Sequence, residues 1–490
     1  MTPPPTSLPA SSGEPPHAGA TPTPGAAHLG AMERAIEQRR TLQKPVHLRL
    51  SFALPGDDPW ALLGTDQTET WSAFHDAVRR VSVWTEGIAW KHETGTSDID
   101  SIRNAAAAFA EGFLEASRND DSPRLPPIFF GGQQFACGTQ SGNWAHWPGS
   151  AFFVPRLMIW DSPGGLRAYL VNEVREEDDV ATLWDRFAAP LARAEERLKT
   201  PPHALAPPVD VPCDERPLET RDAWMQRVEE ARRAIETSPL HKVVLVRAIT
   251  STAAQPPCPY GTLRRLRIQN PNCTVFGVSL SPGETFLGAT PETLITIAGR
   301  VLSSHAVAGT APRGHDARED ARIGESLLHS VKDRMEHEVV THVLATQLSA
   351  HCEQIEVARQ PVLLKLPAAQ HLNSPISGWV QSHTHILDVV ETLHPTPALG
   401  GAPAAEAAQW LEEHEALCRG WFGAPIGWFD LEGDGHFAVS IRSAWMNAEE
   451  VVSFAGAGIV HGSRPDLEWQ ETELKLSTIR NALTHDGGGA

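Results

Sequence analysis

Glu468, Glu471 and Lys475 stand three and four residues apart in the segment PDLEWQETELKL, shortly after the glycine-rich run FAGAGIV. On a helix turning about 100° per residue, these side chains fall on one stripe. Two carboxylates and an ammonium on one stripe can hold a divalent cation together with an anionic ligand. The plain alternative is a solvated helix face with a Glu471–Lys475 ion pair, which stabilises by roughly 0.2–0.5 kcal/mol. A second carboxylate pair, Asp333 and Glu336, lies three apart in KDRMEHEVV at 332–340. Four carboxylates brought to one place repel unless a hard cation neutralises them. Magnesium, held by one or two carboxylates plus waters and substrate oxygens, is the natural choice.

Other segments supply groups for acid–base work and for anion binding. Lys242 opens a run of apolar residues, Val243 to Val246. Desolvation there favours a neutral amine able to act as a base, although a lysine at a sheet edge can simply snorkel. Glu292 follows Thr290 and Pro291 in a turn that can project its carboxyl into a cavity, where burial suits it to be an acid. Otherwise it satisfies nearby backbone N–H groups. Arg442 and Lys475 can clamp a carboxylate, the arginine in bidentate fashion; Arg442 is alternatively an ordinary strand arginine. AGTAPRG at 308–314 offers the N–H groups of Gly309 and Thr310 to an anion. His371, in AAQHLNS, either donates to an oxyanion or satisfies a buried polar contact, and by itself the contact is the simpler reading.

These groups need strands and helices to hold them. Alternating or continuous apolar runs predict strands at 47–54, 128–132, 151–160, 242–250 and 437–446. Helical periodicity marks 31–43, 102–116, 221–235 and 326–349, with Trp224, Val228, Ala231 and Ile235 forming one apolar stripe. Strands and helices do not alternate regularly, which points to an α+β fold rather than a doubly wound sheet. Residues 1–30 are rich in Pro, Ala, Ser, Thr and Gly and cannot offset the entropy of ordering, so a disordered tail is expected there. A Pro-rich connection, 201–217, divides an N-terminal part (31–200) from a C-terminal part (218–486) that carries the candidate site.

Composition narrows the function further. The 490 residues are 41% hydrophobic, enough for one large core or two smaller ones. A net charge of −19, from 60 acidic and 41 basic residues, argues against nucleic acid and against an anionic membrane surface. No apolar run is long enough to span a bilayer and no signal pattern opens the chain, so a cytoplasmic location is expected. Cys137, Cys213, Cys258, Cys273, Cys352 and Cys418 lack metal-site or CxxC spacing and read as reduced structural thiols. Neither a GxGxxG nor a GxxxxGK[ST] motif is present, so no nucleotide cofactor is expected.

Taken in order, HKVVLVRA, FLGATPETL, AVAGTAPRG, KDRMEHEVV, QHLNSPI, LHPTPALGG, RGWFGAPIGWFD, FAVSIRSA, FAGAGIV and LEWQETELKLS resemble the chorismate-utilising enzymes, and within them the isochorismate synthases. The blocks cover about half the chain, from Lys242 onward; before residue 200 only GGQQF and the Trp144 to Arg156 pattern echo the family. The resemblance implies a single large domain of two stacked, mainly antiparallel β-sheets flanked by helices. It implies Lys242 as the base that activates water and Glu292 as the acid protonating the 4-hydroxyl of chorismate. Glu336 and Glu471 would ligate magnesium, with Asp333 and Glu468 holding its waters. Arg442 and Gly456 would hold the enolpyruvyl carboxylate, while Gly309, Thr310 and Lys475 would position the ring carboxylate and His371 would line the pocket. Ammonia-using relatives lack a lysine at 242. Salicylate synthases, the alternative, tend to carry threonine and tyrosine where this chain has Ala398 and Phe422, so apolar Ala398, Leu399 and Phe422 fit release of isochorismate. A catalytically inactive binding subunit is disfavoured because every candidate position is filled. Monomers are common among such relatives, and a monomer is expected.

Overall fold

Antiparallel pairing organises the molecule around one long strand. A computed structural model describes residues 23–64, 69–77, 79–116, 125–136, 141–162, 165–199, 214–252, 258–367, 369–415 and 417–484. The strand Ser150–Ser162 pairs along one edge with Val81–Thr94. Its other edge is shared between Ile128–Gln133 and Gly165–Val174. Two arms grow from this fork. One runs from Val81–Thr94 through Trp71–Asp76, Thr274–Ser279, Thr285–Thr290, Ser443–Met446 and Glu450–Ile459 to Lys242–Thr252. The other runs from Ile128–Gln133 through Pro425–Asp430, Gly435–Val439, Thr293–Ala298 and Val301–Pro312 to Ala369–Val380. Among the described pairings only Val46–Ala53 with Phe113–Glu115 is parallel.

The arms face each other across an aromatic layer. Phe74 and Phe276 of one arm share a buried cluster with Phe130 and Ile426 of the other. The Phe74 ring lies 5.3 Å from that of His436. The two-layer α+β expectation therefore holds, with one addition: the layers are continuous through the forked strand, so the faces belong to one hydrogen-bonded network. Strand Lys242–Thr252 shows why a continuous apolar run reads as a strand. Residues 242–249 are all buried, on both faces, a place where β-branched side chains pack well.

Helices cover the outer faces. Val331–Ser349 turns His337, Val340, Leu344 and Leu348 inward at helical spacing. Pro465–Thr484 packs on strand Glu450–Ile459 and on helix Arg221–Thr237. Several boundaries differ from the sequence reading. Helix Ala26–Leu42 begins inside the expected tail and buries Ala31, Met32, Ala35 and Ile36; residues 1–22 lie outside the described residues. The predicted helix over 326–349 is two helices, Ala317–His329 and Val331–Ser349. They are separated at Ser330, whose side chain caps the second by accepting from the Asp333 N–H at 3.3 Å. Of the Pro-rich connection, 201–213 lies outside the described residues, and Asp214–Pro217 pairs with 249–252 as an edge strand. Cys258, Cys273, Cys352 and Cys418 are free thiols; Cys137 and Cys213 fall outside the described residues. No helix among the described residues is long and apolar enough to cross a membrane.

Candidate active site

The floor of the site is a pair of strands. Lys242, Val244 and Val246 alternate onto one face of Lys242–Thr252, and Gly458 and Gly456 stand opposite Val244 and Val246 on the neighbouring strand. Lys242 is only 4% exposed at its side chain, and its Nζ donates to Glu336 Oε1 at 2.8 Å. Its nearest charged partner is thus an anion. Gly458 makes this contact sterically feasible. A Cβ there would lie 2.9 Å from Lys242 Cε and 3.0 Å from Glu336 Oε1.

Glu292 sits in the two-residue turn between Thr285–Thr290 and Thr293–Ala298. Its N–H donates to Thr290 Oγ1 at 3.1 Å, and its carbonyl accepts from the Val439 N–H at 3.0 Å. The backbone is therefore satisfied locally and the side chain is free to enter the cavity. Burial pushes its carboxyl up to about 7, against the opposing pull of Lys242 and Lys475. A carboxyl poised there can be protonated near neutrality and still donate readily.

Beside it, Arg442 corrects the sequence reading. The predicted strand over 437–446 is broken into Gly435–Val439 and Ser443–Met446, and Arg442 lies in the break with φ 51°. That left-handed backbone, with its carbonyl taken by the Ala289 N–H at 3.1 Å, turns the guanidinium out of the sheet alternation. Arg442 Nη2 donates to His371 Nε2 at 3.3 Å, and His371 Nδ1 lies 3.1 Å from Thr310 Oγ1. Burial, then Arg442 and Lys475, hold the imidazole well below its ordinary pKa, so the ring is neutral. Both ring nitrogens are engaged, and the buried-contact reading of His371 describes this geometry. Gly309 is the extra residue of a β-bulge between Ala308 and Thr310, at φ 77°, which bends its strand toward Asp333.

The carboxylates converge from two helices. Val331–Ser349 brings Asp333 and Glu336; Pro465–Thr484 brings Glu468, Glu471 and Lys475. Lys475 Nζ lies 2.7 Å from Glu471 Oε1 and donates to the Gly456 carbonyl at 2.7 Å. Lys332 Nζ lies 3.5 Å from Glu468 Oε1. Burial opposes the charge of Glu336, but Lys242, Lys332 and Lys475 together outweigh it and its pKa is lowered. Glu468 goes the other way, pushed up to about 7 by burial and by Glu471. Asp333 is also raised by burial, with the Ser330 hydroxyl opposing. Among the described residues no three acidic, His or Cys side chains close into a ready-made metal cluster. The donors still suit a hard cation: all are carboxylate oxygens, Glu468 Oε1 is buried without a hydrogen-bond partner, and the repulsion raising Glu468 is what a cation relieves.

All fifteen residues singled out in the sequence line one cavity of about 600 Å³. Ala398, Leu399 and Phe422 form an apolar wall together with Ile441 and Phe454. Sequence reasoning missed Lys332, Gly458 and Arg419. Each lies inside a motif already singled out, but its role depends on neighbours distant in the chain. Arg419 braces the wall by donating to the carbonyls of Leu399 and Val244 at 2.8 and 2.7 Å.

Comparison with known proteins identifies the family and the fold. The family described as "Chorismate binding enzyme" matches residues 32–484. The salicylate biosynthesis isochorismate synthase of Pseudomonas aeruginosa is 32% identical over 467 residues, covering 94% of each chain. Isochorismate synthase MenF of Bacillus subtilis is 34% identical over 73% of this chain and 74% of its own. In three dimensions, the menaquinone-specific isochorismate synthase MenF of Escherichia coli superposes with a TM-score of 0.71 at 24% identity, over 93% of this chain and 100% of that one. Anthranilate synthase component I of Streptococcus pneumoniae superposes with a TM-score of 0.65 at 18% identity, covering 81% of this chain and 92% of that one, so the fold is shared beyond the isochorismate synthases. With a family match over residues 32–484 and a shared fold, the chain belongs to the chorismate binding enzyme family.

Proposed function

We propose that this protein is an isochorismate synthase, an isomerase that moves a hydroxyl of chorismate from carbon 4 to carbon 2. The observation that carries the reading is that Lys242 and Glu292 line one cavity, with burial raising the Glu292 carboxyl to about 7. A volume of about 600 Å³ lies within the range of roughly 300–1,000 Å³ usual for small-molecule sites.

In the proposed reaction the Lys242 amine takes a proton from water, and the water oxygen bonds to carbon 2. The ring π electrons shift, the carbon 4–oxygen bond breaks, and the Glu292 proton goes to the departing hydroxyl. One water enters and one leaves, so the net change is isomerisation. The amine donates to Glu336 in the resting structure; in its neutral form one N–H can keep that contact while the lone pair takes the proton from water. Arg442, oriented by His371, would bind the enolpyruvyl carboxylate bidentately, with the Gly456 backbone alongside. Lys475 and the bulge at Gly309 and Thr310 would orient the ring carboxylate. Magnesium held by Glu336 and Glu471, with Asp333 and Glu468 on its waters, would supply positive charge opposite the ring carboxylate and template its orientation. The net charge of −19 makes such local cations necessary for a dianionic substrate.

The test is turnover of chorismate with magnesium, followed by ultraviolet absorbance, with and without an added isochorismate-pyruvate lyase. Isochorismate should accumulate alone and salicylate should form only with the lyase. Salicylate without the lyase would assign the protein to the salicylate synthases, and no turnover in either arm would make it a binding protein.

A further inference from the structure

Arg247 lies on the strand of Lys242 but out of step with the residues that line the cavity. Lys242, Val244 and Val246 line it, and Arg247 points from the other face. Its guanidinium is buried and meets one stretch of helix Pro465–Thr484 in three ways. Nε donates to Thr472 Oγ1 at 2.7 Å, Nη2 donates to Glu473, and Cζ stands 3.8 Å from the centre of the Trp469 ring. The same stretch sends Glu468, Glu471 and Lys475 into the cavity. Glu473 is also 3.5 Å from Arg480, which donates to both oxygens of Glu215 at 2.7 and 2.8 Å. A line of alternating charges thus runs from the edge strand through the helix to the strand of Lys242.

Stability alone is a poor reason for this arginine. Nη1 is buried without a hydrogen-bond partner, and a well-packed apolar side chain could replace a buried ion pair at little or no loss. What a planar guanidinium adds is orientation. Its face stacks on Trp469 while its edge donates to two helix side chains, which fixes both the rotation and the axial position of the helix. Lysine cannot do both.

We infer that Arg247 is a positioning residue, setting helix Pro465–Thr484 in register with the strand of Lys242 so that Glu468, Glu471 and Lys475 face Lys242 and Glu292. The inference rests on the assignment of that helix face to substrate and cation. Its test compares wild type, Arg247→Lys and Thr472→Val in kcat and KM for chorismate, in Mn²⁺ binding to the substrate-free protein by electron paramagnetic resonance, and in Tm. Arg247→Lys should lower kcat on the order of tenfold to a hundredfold and weaken Mn²⁺ binding several-fold, with circular dichroism unchanged and Tm little moved. Thr472→Val should act in the same direction and less. Wild-type kcat and Mn²⁺ affinity in Arg247→Lys, or an activity loss that only tracks the unfolded fraction, overturns the inference. Should Arg247→Lys fail to fold, Thr472→Val and Glu473→Gln decide in its place, since both leave the strand intact. If the wild type turns chorismate over without binding Mn²⁺, the cation assignment fails and kcat still judges Arg247. If it binds Mn²⁺ without turnover, the catalytic reading fails and affinity judges it.

Discussion

The two halves of this chain share one strand network yet differ in where they concentrate buried carboxyls. In the N-terminal half, Arg49 lies 2.8 Å from Glu115, and most of the interior is apolar, aliphatic and aromatic together, with Phe129 stacked 4.9 Å from Phe429 of the other half. In the C-terminal half, Glu292 and Glu468 are buried where their charged forms are disfavoured, and burial lowers the pKa of Arg442. Every residue lining the cavity lies at or beyond position 242. Desolvated charge opposes folding, so the apolar packing of one half helps hold the costly arrangement of the other. The scaffold is chemically plain and the site is chemically strained.

Changes on the cavity side should break that division most visibly. Lys242→Ala and Glu292→Gln should each lower kcat at least a hundredfold, in line with lost acid–base catalysis, while neither variant is less stable than wild type in thermal melts. Steady-state kinetics beside thermal melts checks this; several per cent of residual kcat in Lys242→Ala would remove it as the base. Next in size, Glu471→Gln should raise the magnesium half-saturation by on the order of tenfold, and chelation should stop turnover without unfolding the protein. An unchanged magnesium titration would count against Glu471 as a ligand.

Titration sharpens the comparison further. With the Glu292 carboxyl raised to about 7, its acid form prevails below that value, so kcat should fall as pH rises through 7. The stability sign follows from the same shift. A carboxyl raised on folding contributes stability that is present below its unfolded value and is lost as pH rises through about 7. Urea melts of Glu292→Gln should therefore gain on wild type between about pH 4 and 7, by up to roughly 3 kcal/mol. A constant difference across that window would show that Glu292 ionises freely.

On the scaffold side the signature should reverse. Phe129→Ala should cost about 3–5 kcal/mol of stability through the cavity it leaves, with kcat per folded molecule within about twofold of wild type. A kcat loss beyond the unfolded fraction would mean that the aromatic layer tunes the site directly. Smallest of all, removing residues 1–22 should leave kcat and Tm unchanged. Removal through residue 30 should lower Tm slightly, because it cuts helix Ala26–Leu42 next to buried Ala31.

Much of the site was readable because its residues sit in short segments with strong local grammar. The i,i+3 and i,i+4 spacing of Glu468, Glu471 and Lys475 needs only a helix to make a face, and the Thr-Pro-Glu turn needs only two strands to aim Glu292. Less readable was anything set by a long-range contact. Ser330 and Asp333, by contrast, form a local Ser-x-x-Asp cap that was legible in the sequence but went unread because no Gly or Pro marks the break. Arg442 looked like a strand residue because its neighbours alternate correctly; the break arises where the Ala289 N–H and Ala424 backbone meet residues 440–442. Ala26 to Gly30 read as tail by composition, yet the helix they begin is stabilised by docking on strand Val46–Ala53.

The sequence alone marked the candidate residues and most of the strands and helices that bear them, which follow from periodicities of 2 and 3.6, while their expected roles came from the family resemblance. Tertiary structure decided who meets whom. The Lys242–Glu336 contact spans 94 positions and the Arg247–Thr472 contact spans 225. The room beneath the amine comes from Gly458 on a neighbouring strand, and the Glu292 carboxyl is raised by burial among both arms. Such distances and desolvation are properties of packed surfaces, and no spacing along a chain encodes them until the layers close.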